Sequence, residues 1–282
     1  MAATNHVVSD RAPAYGNATT ANQQRPGPEN RWIDANIYAQ LAREIQQHNA
    51  NLICALGSRS PRARLALDLG CGTGFVSQEL IARDLAARVI GVDISPDMLG
   101  VARAALANDR VDFVAANLLD VALPEPADAA YSNAAMHWLY PHYGQFLSRT
   151  RESLSPGGRL YLATAGRSAA SDRFDAWMAD VIKRTRMPAG DTPFQDRRMT
   201  PAALRHQAEE NGFVTEDAFL IERWIKLPAR TYADWLIASG GPWTCVGTET
   251  GNLRRRLAEA MSLESDIVEL GHWTSVLVAC HA

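Results

Sequence analysis

The feature that most constrains the fold is a short apolar run that ends in a glycine-rich loop. Residues 65–69 form a predicted strand, and Gly70, Gly72 and Gly74 follow it directly. Glycine lets the backbone turn sharply and approach a ligand where a Cβ atom would clash. Because open α/β sheets bind ligands at the carboxyl ends of their strands, this loop predicts a small-molecule site at one edge of a sheet.

Strands and helices alternate after this loop. Apolar patterns and turn residues predict strands at 65–69, 88–92, 111–114, 127–131 and 159–164, the last introduced by the turn 156–158. Alternation of this kind implies right-handed crossovers and a parallel sheet. Two later strand patterns, 219–227 and 272–280, suit an antiparallel edge. The predicted fold is a Rossmann-like α/β domain with a seven-stranded, mostly parallel sheet and helices on both faces.

The remaining segments predict an N-terminal helical segment and a helical lid. Apolar residues recur at helical spacing from Ile33 to Leu52, whereas 1–29 has almost no apolar periodicity and is expected to be a flexible arm or a lid that orders over a ligand. The predicted organisation is arm 1–29, ligand-binding core with N-terminal helices 30–165, variable acceptor-pocket lid 166–230, and C-terminal helices with the last strand 231–282.

Composition excludes several classes of function. A net charge of −3 argues against nonspecific nucleic-acid binding. The four cysteines are scattered without metal-ligand spacing, so we expect no metal site and a reducing cytoplasm. No secretory signal and no apolar stretch of about 18 residues are found, which predicts a soluble protein without a membrane partner. The sequence is silent on oligomeric state.

Two acids decide which ligand suits the glycine loop. A dinucleotide fingerprint requires a third glycine at position 75, which is Phe75. Asp68 precedes the loop, where it would repel a pyrophosphate but pair with a cationic amino group. Asp93 ends the second strand, where a carboxylate can accept hydrogen bonds from both ribose hydroxyls. S-adenosylmethionine has an ammonium group, a ribose and no phosphates, and it satisfies these requirements.

Residues 65–164 resemble the class I S-adenosylmethionine-dependent methyltransferases. The loop 68–74 is similar to their first motif, 92–99 to the acidic segment after the second strand, 113–118 to the third motif, and 154–158 to the turn before strand five. The third motif departs from the family pattern because Asn117 stands where Asp is usual. An Asn oxygen can still accept a hydrogen bond from an adenine amino group.

The resemblance implies a cofactor site and its product, S-adenosylhomocysteine. Asp93 would hold the ribose, Ile94 and Met98 would pack against adenine, and Asn117 would accept from the adenine amino group. The complete set of implied cofactor-binding residues is Asp68, Gly70, Cys71, Gly72, Gly74, Asp93, Ile94, Met98, Asn117, Leu118 and Asn133.

The segment after strand four is similar to small-molecule enzymes such as trans-aconitate and malonyl-carrier-protein O-methyltransferases. It reads Asn-Ala-Ala-Met-His-Trp at 133–138, in place of the signature typical of nucleic-acid or protein amine methylation. His137 is the candidate catalytic base, since an unperturbed imidazole titrates near neutrality, or else a packed residue of the pocket wall. Tyr15 and Tyr38 either close over the cofactor or only pack.

The acceptor is expected to be a small molecule, with an anionic one favoured. A basic group lies within the predicted lid: Arg173, Lys183, Arg184, Arg186, Arg197 and Arg198. These side chains either form a solvated helix face or clamp a carboxylate bidentately. The predicted function is methyl transfer to such an acceptor, with carboxylate O-methylation preferred. The alternatives are an N- or C-methyltransferase, or a non-methylating isomerase or cyclase that retains the fold.

Overall fold

One seven-stranded sheet organises the chain. The structure, a computed structural model, describes residues 35–121, 125–185, 194–239, 250–262 and 266–282. The strands are β1 (Ala63–Leu69), β2 (Ala86–Asp93), β3 (Val111–Ala115), β4 (Ala127–Asn133), β5 (Leu154–Ala165), β6 (Phe213–Pro228) and β7 (Ile267–His281). Their order is β3-β2-β1-β4-β5-β7-β6, and β7 runs antiparallel to both of its neighbours. The predicted mostly parallel sheet with an antiparallel edge is confirmed.

Helices cover both faces of this sheet. The described α-helices are α1 (Ala35–Ile45), α2 (Gln47–Gly57), α3 (Phe75–Ala82), α4 (Pro96–Ala105), α5 (Tyr143–Glu152), α6 (Ala169–Thr185), α7 (Pro201–Glu210), α8 (Ala229–Ala238) and α9 (Thr250–Ser262). One apolar cluster includes Phe146 of α5 and Leu204 of α7, and a second includes Ile53 of α2 and Leu80 of α3. Because the central strands are buried on both faces, β1 is a nearly continuous apolar run.

The start of α4 follows from local sequence. Ser95 caps the helix by accepting a hydrogen bond from the backbone N–H of Met98 at 3.3 Å, and Pro96 occupies the first helical position. This cap fixes how the chain leaves β2, and it therefore fixes the position of Asp93 at the end of that strand.

The strand order reverses between β1 and β4, and this reversal positions the site. β2 and β3 lie on one side of β1, whereas β4, β5, β7 and β6 lie on the other. A crevice opens at the carboxyl ends of strands where an open sheet changes direction. The glycine loop after β1 and the segment after β4 both lie at this crevice.

Three predicted strand starts need correction, and β7 is one of them, because it begins at Ile267 rather than 272. β5 begins at Leu154, before the predicted turn, because residues 155–158 bulge out between the paired residues Leu154 and Arg159. β6 begins at Phe213 rather than 219, since it pairs with β7 along its whole length. Residues 213–218, within the segment 166–230, thus extend the sheet edge that the sequence predicted at 219–227.

A third apolar cluster lies beyond the sheet face. It joins α6, α8 and α9 to the C-terminal end of β6 and the N-terminal end of β7. Its buried members include Val181, Ile237 and Leu257. These helices, rather than the whole of 166–230, form a roof over the ends of β5 and β7. Among the described residues, no helix is both long and apolar enough to cross a membrane.

Candidate active site

The glycine loop turns directly at the end of β1. Gly70 has φ of 73°, and a Cβ atom built on it would lie 2.2 Å from the Cβ atom of Ala135. Gly74 has φ of 85° and is the N-cap residue of α3. Both positions favour glycine because the left-handed region is costly for other residues. The loop can therefore hold its shape beside the segment that follows β4.

Asp93 is held rigidly at the end of β2. Its Oδ2 atom accepts a hydrogen bond from the N–H of Gly72 at 2.9 Å, and its Oδ1 atom accepts one from the N–H of Ser95 at 2.9 Å. Burial raises the pKa of this carboxyl, while these backbone N–H groups oppose the rise. Asp93 is thereby tied to the glycine loop that follows Asp68. The N–H of Ile94 is a third backbone donor to this carboxylate, which leaves acceptor capacity for a ligand.

Asp68 is the most deeply buried acid of the site, with 1% of its surface exposed. Its Oδ2 atom accepts hydrogen bonds from the N–H and the hydroxyl of Ser77, at 2.9 and 2.7 Å. Its Oδ1 atom has no hydrogen-bond partner among the described residues. Burial raises the pKa of Asp68 to about 7. A buried carboxylate oxygen without a donor fits the ammonium group of a ligand.

These residues border a cavity of about 570 Å³, which we call the outer cavity. It is bounded by the loop 70–73, by Asp93, and by the segments 117–120 and 133–135. Every predicted cofactor residue lines it except Gly74, whose place is in the cap of α3. Its size suits a nucleoside with an amino-acid side chain, since ligand pockets span roughly 300–1,000 Å³.

Asn117 is partly occupied within the chain. Its Oδ1 atom accepts a hydrogen bond from the N–H of Leu119 at 3.0 Å, and its amide donates to Asp120 at 3.2 Å. One lone pair of Oδ1 is therefore still available for the predicted contact with adenine. Asp120 lines the same cavity, but the sequence analysis did not single it out as a site residue. Its position three residues after Asn117 was the available signal.

A second space, the inner cavity of about 130 Å³, lies beneath α6 and α8. It shares a set of lining residues with the outer cavity: Tyr38, Gln46, Asn133, Ala134, Trp138 and Ser239. The Tyr38 hydroxyl donates to Gln46 Oε1 at 2.6 Å, and the Asn133 amide donates to the Gln46 backbone carbonyl at 3.4 Å. Residues of α1, of the α1–α2 junction and of the end of β4 thus lie where the two cavities adjoin, and we call this place the passage.

His137 lines the inner cavity and is only 6% exposed. Its Nδ1 atom lies 3.5 Å from the Thr164 hydroxyl. Burial, followed by the charges of Arg198 and Arg197, lowers the pKa of His137 to about 3. A general base works best when its pKa lies near the working pH. This environment therefore opposes the predicted base role and favours a neutral imidazole that forms hydrogen bonds.

The predicted basic group divides between solvent and site. Arg173, Lys183 and Arg184 are exposed on α6. Arg197 lines the outer cavity with its guanidinium 5.4 Å from the centre of the Trp138 ring, and Arg198 lines the inner cavity. Predictions that involve Arg186, Tyr15 and the arm 1–29 lie outside the described residues.

Replacing His137 with glutamine is expected to remove part of the acid sensitivity of the fold. The folded protein keeps this imidazole neutral, whereas the unfolded chain binds a proton below a pKa of about 6.5. The stability present above that pH is therefore lost as the pH falls toward 3. Between about pH 7.5 and pH 5, urea unfolding should show the wild-type chain losing about 2 kcal/mol more than the variant. Equal losses would contradict a buried neutral His137.

Comparison with known proteins connects this geometry to a family. Residues 66–158 match the family described as Methyltransferase domain. The chain is 31% identical over 195 residues to the trans-aconitate 2-methyltransferase of Methylobacterium nodulans, which covers 68% of this chain and 70% of that one. It is 29% identical over 130 residues to the malonyl-[acyl-carrier protein] O-methyltransferase of Acetivibrio thermocellus, and 46% of each chain is covered.

A solved structure shows the same fold. The cyclopropane synthase MmaA2 from Mycobacterium tuberculosis superposes with a TM-score of 0.57 at 17% identity, covering 92% of this chain and 100% of that one. The resemblance deduced from the motifs of 65–164 is confirmed by the matched domain, which spans the loop, Asp93 and Asn117. The shared domain and the 31% identity across most of both chains establish that the chain belongs to the class I S-adenosylmethionine-dependent methyltransferases.

Proposed function

We propose that the chain binds S-adenosylmethionine in the outer cavity and transfers its methyl group to a small molecule in the inner cavity. The observation that carries this proposal is the passage at Tyr38, Gln46 and Asn133, where the two cavities share their walls. A donor on one side and an acceptor on the other would meet there in line. Roof helices α6 and α8 would close the acceptor side.

Each cofactor group has a proposed partner. Asp93, oriented by the N–H groups of Gly72 and Ser95, would accept from the ribose hydroxyls. The unpartnered Oδ1 atom of Asp68 would accept from the ammonium group. Ile94, 48% exposed, and the buried Met98 would pack against adenine. Asn117 would accept a hydrogen bond from the adenine amino group, with Asp120 beside it.

The chemistry requires little from the protein beyond alignment. When bound, S-adenosylmethionine would supply an electrophilic methyl group to a lone pair of the acceptor, with S-adenosylhomocysteine as the leaving group. Alignment of reacting groups contributes about 7–11 kcal/mol in favourable cases. Tyr38, Gln46 and Asn133 would set the approach, because Tyr38 and Asn133 both donate hydrogen bonds to Gln46 at the passage. The neutral His137 would hold the acceptor by a hydrogen bond, and a general-base role for it stays a prediction.

The atom that is methylated is the finer part of the proposal. The names of the relatives favour oxygen, and a carboxylate acceptor would need no base. A hydroxyl, amine or carbon acceptor would need its proton removed. The test is release of S-adenosylhomocysteine from the purified protein, supplied with S-adenosylmethionine and a panel of small acids, phenols and amines. Tight cofactor binding without release from any acceptor would favour the non-methylating isomerase or cyclase.

Binding of S-adenosylmethionine is expected to weaken as the pH falls below 7. Burial raises the pKa of Asp68 to about 7, so below this pH most of the free protein carries a proton on this carboxyl group. That proton must be released before the carboxylate can pair with the ammonium group of the ligand. Calorimetry should give an affinity about tenfold weaker at pH 6 than at pH 8. Asp68→Asn should bind more weakly and without this pH dependence. The same pH dependence in the variant would show that another group titrates.

A further inference from the structure

Aromatic side chains form much of the wall of the inner cavity. Seven phenyl, phenol or indole rings line it, from α1, from the segment after β4, from α6, from the turn before α7, from α8 and from β7: Tyr38, Trp138, Phe174, Phe194, Tyr232, Trp235 and Trp273. Tyr232 and Trp235 stack at 5.8 Å with an interplanar angle of 12°, and Phe174 lies 5.5 Å from Trp273. Aromatic surfaces of this kind favour flat apolar ligands.

The charges of this cavity cancel. Among the described lining residues, Arg198 and Asp175 carry opposite charges and form a bidentate pair at 2.6 and 2.8 Å. Their side chains are only 8% and 11% exposed. The other terminal nitrogen of Arg198 donates to the Gly166 carbonyl at 3.3 Å. The guanidinium that an anion clamp requires is therefore already engaged by a carboxylate of the chain itself.

The two imidazoles of the cavity are uncharged. His137 and His272 both line it, and burial together with the charge of Arg198 lowers the pKa values to about 3 and about 4. Neither side chain can therefore compensate an anionic ligand near neutral pH. An anion placed here would lose its hydration without gaining an unengaged cation, which is costly in a buried site.

Uncharged polar groups are nevertheless present and unsatisfied. Four buried atoms of lining residues have no hydrogen-bond partner among the described residues: Asn49 Oδ1, Asn133 Oδ1, Trp235 Nε1 and Trp273 Nε1. Two of them are acceptors and two are donors. Buried polar atoms are normally hydrogen-bonded, so a ligand that both donates and accepts hydrogen bonds would suit these side chains.

We propose that the acceptor is an uncharged, flat and largely apolar molecule, ring-bearing and carrying hydroxyl or carbonyl groups, and not a di- or tricarboxylate. The aromatic walls would hold its ring, and the neutral amides and indoles would hold its polar groups. If a hydroxyl oxygen of this molecule takes the methyl group, its proton would pass to a neutral imidazole of the cavity, His137 or His272. This inference rests on the proposed function for the identity of the inner cavity as the acceptor site. It departs from the anionic acceptor that the basic residues of the sequence predicted.

A matched pair of probes tests the charge preference. 2-Naphthol and 2-naphthoate have the same ring system, but only the second is an anion near neutral pH. With the protein saturated with S-adenosylhomocysteine, calorimetry near pH 7.5 should give binding of 2-naphthol about tenfold or more tighter than that of 2-naphthoate. Equal or tighter binding of 2-naphthoate would overturn the proposal, as would the absence of 2-naphthol binding.

Variants of the buried ion pair test the cause. Asp175→Asn releases Arg198 from its carboxylate, so 2-naphthoate should gain about tenfold or more in affinity while 2-naphthol changes little. The double variant Asp175→Asn/Arg198→Gln removes both charges and should restore the wild-type preference. The double variant can be measured even if Asp175→Asn alone does not fold, because it leaves no uncompensated buried charge. An unchanged preference in a folded Asp175→Asn protein would contradict the proposal.

Failure of this inference is distinguishable from failure of the proposed function. Preferential binding of 2-naphthoate or trans-aconitate, with S-adenosylhomocysteine released from carboxylates, would overturn the inference and leave methyl transfer intact. Preferential binding of 2-naphthol, with no S-adenosylhomocysteine released from any acceptor, would support the cavity chemistry and remove the methyl transfer.

Discussion

Replacing Asp93 with alanine is expected to weaken S-adenosylmethionine binding by about 100-fold, because two hydrogen bonds to a charged group are worth roughly 3 kcal/mol or more together. The carboxylate also accepts from the N–H groups of Gly72 and Ser95, so its loss would loosen the loop as well as remove the ribose contacts. Isothermal titration calorimetry with S-adenosylmethionine measures the change directly.

Asp97→Ala is the matched control. Asp97 is an exposed acid in the first turn of α4, four residues from Asp93, and it does not line the outer cavity. Its removal should change the affinity less than about twofold while costing the helix a few tenths of a kcal/mol. If both variants bound equally well, Asp93 would have no role in holding the cofactor.

Gly70→Ala is expected to destabilise the fold by about 2–4 kcal/mol and to impair cofactor binding more than tenfold. The residue has φ of 73°, where a side chain is strained, and its Cβ atom would lie 2.2 Å from that of Ala135. The glycine loop and the segment after β4 would then have to move apart, and both line the outer cavity. Urea unfolding gives the stability, and calorimetry gives the affinity.

Gly100→Ala provides the opposite expectation for the same substitution. Gly100 lies inside α4, is exposed, and has nothing within 4 Å of an added Cβ atom. Alanine there should stabilise the protein by about 0.5–1 kcal/mol and leave cofactor binding unchanged. A Gly70→Ala protein as stable and as tightly binding as Gly100→Ala would contradict the described loop.

The arrangement of the proposed cofactor side could be predicted because its residues are close in sequence and their positions have local causes. Three glycines after a buried strand, an acid before them and an acid at the next strand end are visible as a pattern. The cap by Ser95 that positions Asp93 is local as well. Tertiary contacts add only detail here, such as the N–H of Gly72 donating to Asp93.

The proposed acceptor side could not be predicted, because its residues meet only through the fold. Asp175 lies on α6, whereas Arg198 lies in the segment before α7. Their ion pair engages the guanidinium that the sequence predicted for binding an anion. His272 reaches the cavity only because β7 inserts between β5 and β6. The lowered pKa of His137 depends on burial, which no local pattern reveals. For the same reason the start of β6 was predicted at 219 rather than at Phe213: its pairing partner lies far along the chain.

The most direct test of the cofactor site is a crystal structure of the protein with S-adenosylhomocysteine. The account predicts the product in the outer cavity, both ribose hydroxyls about 2.5–3.0 Å from the Asp93 carboxylate, and the amino group on the Asp68 side of the loop. The sulfur atom should face the passage at Asn133. A product bound elsewhere, or ribose hydroxyls that do not contact Asp93, would contradict the account.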